Sequence, residues 1–129
     1  MQLSFLIAKC LLEGDFASHF ANVPSAAECP EPIVLRQGRF EREARMEDEE
    51  RGHVVVTVLV VREVAVDAEE DALACERLVR SSSWEAFSEN GSWRVCGLDT
   101  SAPCFKERDG SGRFVWYFDV TLTVVREVA

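Results

Sequence analysis

The pattern of apolar positions divides the first third of the chain into a helix and a proline-rich connector. Apolar residues recur every three or four positions near the amino terminus, at Leu3, Leu6, Ile7, Cys10, Leu11, Phe16 and Phe20. This spacing predicts a helix with one buried face from residue 3 to about 20, with an interruption at Gly14. Residues 22–32 contain three of the four prolines and are predicted to form an extended connector.

The next segments have the composition of β-strands. Residues 33–46 predict either one bent strand or a short hairpin, with a bulge or turn at Gly38. The acidic residues 47–52 predict a solvated turn. The stretch "HVVVTVLVVREVAV", from His53, is rich in β-branched residues and predicts a long strand. Because its apolar residues fall on both faces, one interpretation places helices on one face and a partner subunit on the other.

The stretch "DAEEDALACERLVRS" predicts a second helix. Asp67 is placed as the N-cap, with Glu70 three residues later as its partner in a capping box. Basic residues near the helix end complement its dipole. The residues predicted to form the buried stripe are Ala68, Ala72, Cys75 and Val79.

The last third predicts a second β-unit. An irregular link, "SSSWEAFSENG", carries Trp84 and Phe87 as aromatic anchors and leads into the short strand "SWRVCGL". Residues 97–113 predict a long loop or loose hairpin tip, with positive φ at Gly110 and Gly112. A long final strand, "RFVWYFDVTLTVVREVA", follows. The fold class is therefore α+β: a single mostly antiparallel sheet with two helices on one face, in the order α-β(β)-β-α-β-β and within one domain spanning 1–129.

A decapeptide is nearly repeated. "VTVLVVREVA" begins at Val56 and "VTLTVVREVA" begins at Val120, with eight of ten letters matching. Either two central strands have converged on similar β-branched sequences, or a β-hairpin–helix unit has been duplicated. In both cases we expect the two segments to lie in one sheet, each as the return arm of an antiparallel hairpin.

Charge and cysteine usage narrow the function classes. The formal net charge of −9 argues against nucleic acid and against an anionic membrane surface as partners. The first 16 residues lack a basic region, and Lys9 interrupts their apolar run, so a signal peptide is not expected. The five cysteines are odd in number and irregularly spaced, which is typical of reduced thiols in a cytosolic protein.

No residue pattern identifies a reaction. The two histidines, His19 and His53, belong to no metal-ligand spacing, and the Cys96–Cys104 spacing is unlike that of zinc knuckles. We expect no catalytic residue, no cofactor and no metal site. In the final strand, if Trp116 and Phe118 face the helices, then Val115 and Tyr117 lie on the other side, where an apolar surface fits a subunit interface.

Three motifs in the second half resemble a known group of proteins. They are "W-R-V" at Trp93–Val95, "G-x-D-T-x-x-P" at Gly97–Pro103 and "G-R-F-V-W-x-F-D-V-T-L" at Gly112–Leu122. With the early "VPSAAECPEPIVL", they resemble small structural proteins of tailed phages and prophages, of the tail-terminator or tail-completion type. The order of elements is similar over most of the chain, and the motifs are specific over 84–126.

The resemblance implies an assembly role without bond making. It implies a ring of six copies that caps the tail tube and docks on the head connector, present in the host cytoplasm during assembly and then in the virion tail. The loop residues we predict to face a partner are Asp99, Lys106, Arg108, Asp109 and Arg113. An ordinary solvated loop tip is the alternative for these residues. The alternative functions are another head–tail joining or tail-tube protein, a small cytosolic enzyme, or a ligand-binding α/β domain.

Overall fold

The structure, a computed structural model, describes residues 3–82 and 93–127. Within these residues the chain is α+β, with two helices and a single mostly antiparallel sheet, as predicted; the sheet has seven strands, more than the predicted order contains. Trp84 and Phe87 lie outside the described residues. The elements are α1 Leu3–Leu12, β1 His19–Phe20, β2 Ile33–Gln37, β3 Glu41–Arg45, β4 Glu49–Arg62, α2 Ala65–Arg80, β5 Trp93–Thr100, β6 Cys104–Arg108 and β7 Phe114–Glu127.

Two long strands form the centre of the sheet. β4 and β7 pair antiparallel along their whole length, from Glu49 opposite Glu127 to Arg62 opposite Phe114. The short strands β2 and β3 both pair antiparallel with β4, and β5 and β6 both pair antiparallel with β7. β1 adds a parallel edge beside β2. The prediction that both copies of the decapeptide are return arms of hairpins in one sheet is confirmed for residues 56–62 and 120–127. Residues 63–65 leave the sheet towards α2, and residues 128–129 lie outside the described residues.

The two helices cover one face of the sheet, which we call the helix face. β-strand side chains alternate between faces, so every second residue of β4 and β7 points to the helices. These residues are almost fully buried: Val54, Val56, Val58, Val60, Phe118, Val120, Leu122 and Val124. The predicted inner stripe of α2 is confirmed, because Ala68, Ala72, Cys75 and Val79 are all buried.

The opposite face, which we call the outer face, differs from the expected apolar partner surface. At one end, the chain's own connector covers it, with Val23 packed against a small cluster formed by Val34, Leu59, Val61 and Val115. In the middle it is polar, and the Thr57 hydroxyl donates a 2.6 Å hydrogen bond to Asp119. The prediction that the outer face is an apolar surface covered by a partner subunit is therefore wrong.

Several predicted boundaries are corrected in the first half. α1 ends at Leu12, because a turn follows in which Asp15 has a φ of 63°. Residues 33–46 do not form the hairpin, and the single bent strand is interrupted at residues 38–40. They form two strands that lie end to end along the same edge of β4. The predicted solvated turn at 47–52 is shorter, since β4 begins at Glu49.

Two further corrections concern α2 and the predicted loop. α2 begins at Ala65, and its N-cap is Val64, with no side-chain capping bond, so the capping box at Asp67 is not formed. Residues 97–113 are mostly strand rather than loop: β5 continues to Thr100, and β6 follows at Cys104. The turn within 109–113 is confirmed, with Gly112 at a φ of 79°. The positive φ predicted at Gly110 is wrong, because Gly110 lies inside the turn that the Gly112 N–H closes on the Asp109 carbonyl and only Gly112 takes the left-handed conformation there. Neither helix, among the residues that the structure describes, is long and apolar enough to span a bilayer.

Candidate functional site

Arg113 fastens the β6–β7 hairpin to the proline-rich connector. Its side chain is buried, and its Nε donates a 2.7 Å hydrogen bond to Asp109. Its two terminal nitrogens donate to backbone carbonyls of the connector, those of Cys29, Pro30 and Pro24. All three guanidinium nitrogens are thus engaged within the chain. Arg113 points inward and joins two segments, rather than facing a partner as predicted.

Asp109 completes this anchor from the other side of the turn. Burial alone would raise the pKa of its carboxyl group. The backbone N–H groups of Arg113 and Ser111, together with the Arg113 side chain, donate to the carboxylate and hold its pKa below the usual 3.8. The turn is therefore fixed by a charged pair with low exposure, Arg113 at 6% and Asp109 at 19% of side-chain surface.

A shallow cleft of about 390 Å³ lies between this hairpin and the connector. Four of the seven predicted site residues meet there: Lys106, Asp109, Arg113 and Val115. Val115 is buried at the base, and Lys106 is exposed at the rim. Arg36 of β2 lies across the cleft from them and donates to the carbonyl of Ala21. The cleft thus has an apolar base, with the cationic Arg36 and Lys106 and the anionic Glu107 among the residues that line it.

The other three predicted site residues lie elsewhere. Asp99 is on β5, opposite Thr121. Arg108 stacks on the Phe114 ring, with 4.6 Å between its guanidinium carbon and the ring centroid. Tyr117 is half-buried on the outer face, opposite Cys104, and a hydrogen bond with the Cys104 side chain raises the pKa of its hydroxyl. The seven residues therefore do not form one surface.

The cysteines are free thiols. All five are unpaired, and Cys10 and Cys75 are buried. Burial raises the pKa of Cys75 to about 12, which makes it unreactive at neutral pH. In the described part of the chain, no group of three or more His, Cys, Asp or Glu side chains is arranged to hold a metal ion.

One aromatic pair lies exposed at the β1–β2 edge of the sheet. The rings of Phe5 on α1 and Phe20 on β1 pack edge to face, with centroids 4.8 Å apart. Phe5 is 50% exposed and Phe20 is 42% exposed. Because Phe20 contacts α1 and lies opposite the buried Leu35, the pair belongs to the helix face.

A second aromatic pair lies at the opposite edge. Phe105 of β6 is directly opposite Trp116 of β7, and their ring centroids are 6.4 Å apart. Phe105 is 50% exposed, whereas Trp116 is half-buried against the core, so this pair also belongs to the helix face. The two pairs are hereafter called the Phe5 edge and the Phe105 edge.

Sequence reasoning missed both edges. Phe5 falls outside the regular apolar stripe of the first helix, and Phe20 was assigned to the same helix face as Leu3 rather than to a strand. The composition of residues 3–12, in which Lys9 is the only charged side chain, could have indicated an apolar surface on this helix beyond its buried stripe. A helix that is apolar all round is covered on more than one side.

No protein-family model matches this sequence, and no curated protein is significantly similar to it.

Proposed function

We propose that this chain is a non-enzymatic assembly protein whose copies join head to tail into a closed ring, of the tail-terminator type that its motifs resemble. In this role the ring caps the tail tube and meets the head connector, first in the host cytoplasm and then in the virion tail. The observation that supports the proposal is the presence of two unlike exposed aromatic pairs at opposite sheet edges, both on the helix face.

Two unlike patches on one subunit suit a head-to-tail contact. If the Phe5 edge of one copy packs against the Phe105 edge of the next, every copy has two neighbours, and the chain of contacts closes into a ring when the rotation allows. Exposed apolar patches mark interaction sites, and aromatic residues are enriched at interfaces. The outer face plays no part in this contact, since it is polar in the middle and covered at one end.

The charge of the chain affects when such a ring forms. A formal net charge of −9 on each copy makes free subunits repel one another. Salt screens this repulsion over a Debye length of about 10 Å at 0.1 M ionic strength. We therefore expect self-association to strengthen as salt concentration rises, since the contact itself is apolar.

Two glutamate substitutions test the head-to-tail contact. Phe5→Glu removes the Phe5 edge at an exposed helix position, and Phe105→Glu removes the Phe105 edge on an exposed strand. Each variant alone is expected to lose the ring-sized species by size exclusion with light scattering. In a 1:1 mixture the two variants are expected to associate with each other without forming the ring, because only one intact head-to-tail contact can form between them.

Matched controls place the same change at other exposed apolar positions. Leu73→Glu on α2 is the control for Phe5→Glu, and Met46→Glu in the β3–β4 turn is the control for Phe105→Glu. Both controls should form the same oligomer as the unchanged protein. The proposal is wrong if the unchanged protein forms nothing larger than a dimer, or if the two edge variants do not associate with each other in the mixture while the controls form the larger oligomer.

The cleft beside Arg113 favours a second candidate function, the binding of a small anionic ligand. Its rim carries the cationic Arg36 and Lys106 side chains. A ligand that binds only the folded state raises the melting temperature. Pyrophosphate should do so at an ionic strength matched with sodium chloride, and Lys106→Glu should abolish the increase. No increase with the unchanged protein removes this candidate.

A further inference from the structure

Strand β5 leaves its outer edge without a partner among the residues that the structure describes. It is the last strand on its side of the sheet order, β1-β2-β4-β7-β5. β2 lies at the other side, where β1 pairs with it at Val34 and Leu35. An open edge presents unpaired N–H and C=O groups and is a template for pairing with another strand.

The faces of β5 follow from its pairing with β7, since directly opposed residues share a face. Trp93, Val95, Leu98 and Thr100 are opposite Arg126, Val124, Leu122 and Val120, and they lie on the helix face. Arg94 and Asp99 are opposite Val125 and Thr121, and they lie on the outer face. The register shifts between Val95 and Gly97, which makes Cys96 an extra residue in the middle of the strand.

Because of this central bulge, the order of faces along β5 is the same in both directions. Counted inward from either end of β5, the first three residues lie on the helix face, the outer face and the helix face. A second β5 running antiparallel, with Cys96 opposite the partner's Gly97, therefore keeps like faces together on both sides of the centre. A shift by one residue would place helix-face residues against outer-face residues.

We propose that two copies of the chain pair antiparallel through β5 in this register. The pairing places Arg94 of each copy opposite Asp99 of the other, so two opposite-charge pairs form across the two-fold axis. On the helix face it places Val95 opposite Leu98, and Val95 is already buried while Leu98 is half-buried. The chain is thus complementary to itself in charge and in apolar character, and the occupant of this edge is a second copy.

The β5 contact adds a second self-association surface to the proposed function. It rests on that function only because both require copies of the chain to associate. It is a two-fold contact, so it is separate from the head-to-tail contact between the Phe5 and Phe105 edges. β5 pairs with β7 between Val120 and Arg126, whereas β6, which carries Phe105, pairs with β7 between Phe114 and Tyr117. The two contacts therefore use different halves of that side of the sheet.

Cys96 reports on the pairing directly. With strands about 4.8 Å apart and a rise of about 3.3 Å per residue, the two Cys96 Cα atoms on either side of the axis are about 6 Å apart. That separation is within the range that a disulfide spans. Cys104 is exposed and is replaced by serine in every sample, so that it does not crosslink.

The experiment is mild oxidation of the Cys104→Ser protein, followed by a non-reducing gel. We expect a covalent dimer that is lost in Cys96→Ser. Arg94→Asp or Asp99→Arg alone should reduce the dimer yield about tenfold, since each replaces two weak attractions by repulsions. The double variant Arg94→Asp/Asp99→Arg should restore the yield. Arg94 also lies 3.9 Å from Glu49, so Glu49→Gln controls for the loss of that contact.

The outcomes separate this inference from the proposed function. If Cys96 gives no dimer while the unchanged protein forms oligomers that the edge variants break, the β5 contact is wrong and the ring proposal stands. If the dimer forms, and the double variant restores it, in a protein without the head-to-tail contact, the β5 contact stands and the ring proposal fails. If the double variant does not restore the yield of covalent dimer, although circular dichroism shows that the single and double variants are folded, the proposed β5 register is wrong.

Discussion

Val56 and Val120 lie directly opposite each other in the β4–β7 ladder. They are the first residues of the two copies of the decapeptide, and from this pair the copies run in opposite directions. An approximate two-fold axis therefore passes between them. The axis relates an amino-terminal unit, α1 and β2 to β4, to a carboxy-terminal unit, α2 and β5 to β7.

The irregular features of the two units also correspond. β3 and β6 each contain an extra residue, Glu43 and Lys106, opposite equivalent positions of the long strands. The residues that follow β2 and β5, Gly38 and Ser101, each donate a backbone hydrogen bond to the neighbouring long strand, with lengths of 2.8 and 2.9 Å. Shared bulges are not required for a strand to be central. The correspondence favours duplication of the unit over convergence of two strands.

Replacing a central core side chain should destabilise the fold strongly. Phe118 is fully buried in the core on the helix face, and Phe118→Ala is expected to cost about 3–5 kcal/mol of unfolding free energy. Leu73→Ala, at a position that is 44% exposed on α2, should change it by less than about 1 kcal/mol. Urea unfolding followed by circular dichroism measures both. Similar losses for the two variants would contradict the assigned core.

Asp109→Asn should weaken the hairpin anchor in a pH-dependent way. At pH 7 the change leaves Arg113 without its charged partner and should cost about 2–3 kcal/mol. The folded-state pKa of Asp109 lies below the unfolded value of 3.8, so its contribution is complete above that value. The contribution is lost as the pH falls through the folded-state pKa. Melting temperatures of the two proteins should therefore converge in acid, and a difference that persists or grows there would refute the anchor.

The five thiols should react with a disulfide reagent in an order set by burial. Cys104 is exposed and should react first, and the half-buried Cys29 and Cys96 should follow. Cys10 and Cys75 should react only after unfolding, since burial raises the pKa of both, that of Cys75 to about 12. Counting released thiolate against time at pH 8, with and without denaturant, tests this order. Rapid reaction of all five in the folded protein would contradict it.

Arg126→Lys should show that Arg126, the arginine of the second decapeptide copy, stabilises the fold through its planar guanidinium group. Its guanidinium carbon lies 4.3 Å from the Phe40 ring centroid and 5.3 Å from that of Trp93, and it donates to the buried Glu50. Lysine keeps the charge and loses the stacking, at a cost of about 1 kcal/mol. Arg94→Lys, at a more exposed position, should cost less than about 0.5 kcal/mol. Equal losses on chemical unfolding would show that the aromatic contacts contribute nothing.

Apolar periodicity predicted the elements that bury side chains. The long strands and the inner stripe of α2 follow from β-branched density and helical spacing, which depend on local sequence. β6 was missed, and β3 was not separated from β2, because all residues of β3 and β6 are exposed. They are strands because β4 and β7 offer them backbone partners, and no local apolar pattern encodes that pairing.

The candidate site was less predictable because its contacts are distant in sequence. Arg113 looked like a solvent-facing residue in a glycine-rich turn, but carbonyl groups more than 80 residues earlier accept its hydrogen bonds. The outer face looked apolar because Leu59, Val61 and Val115 are apolar, yet the connector already covers them. Only the fold shows which aromatic residues remain exposed in the described part of the chain, namely Phe5, Phe20 and Phe105.

Sedimentation velocity of the unchanged protein, over a wide range of protein and salt concentrations, tests self-association most directly. A single chain has a mass of 14.5 kDa. We predict a discrete species built of rings, with six chains in each ring of the tail-terminator form, whose population increases with protein concentration and with salt. A single 14.5 kDa species at every concentration would contradict the account.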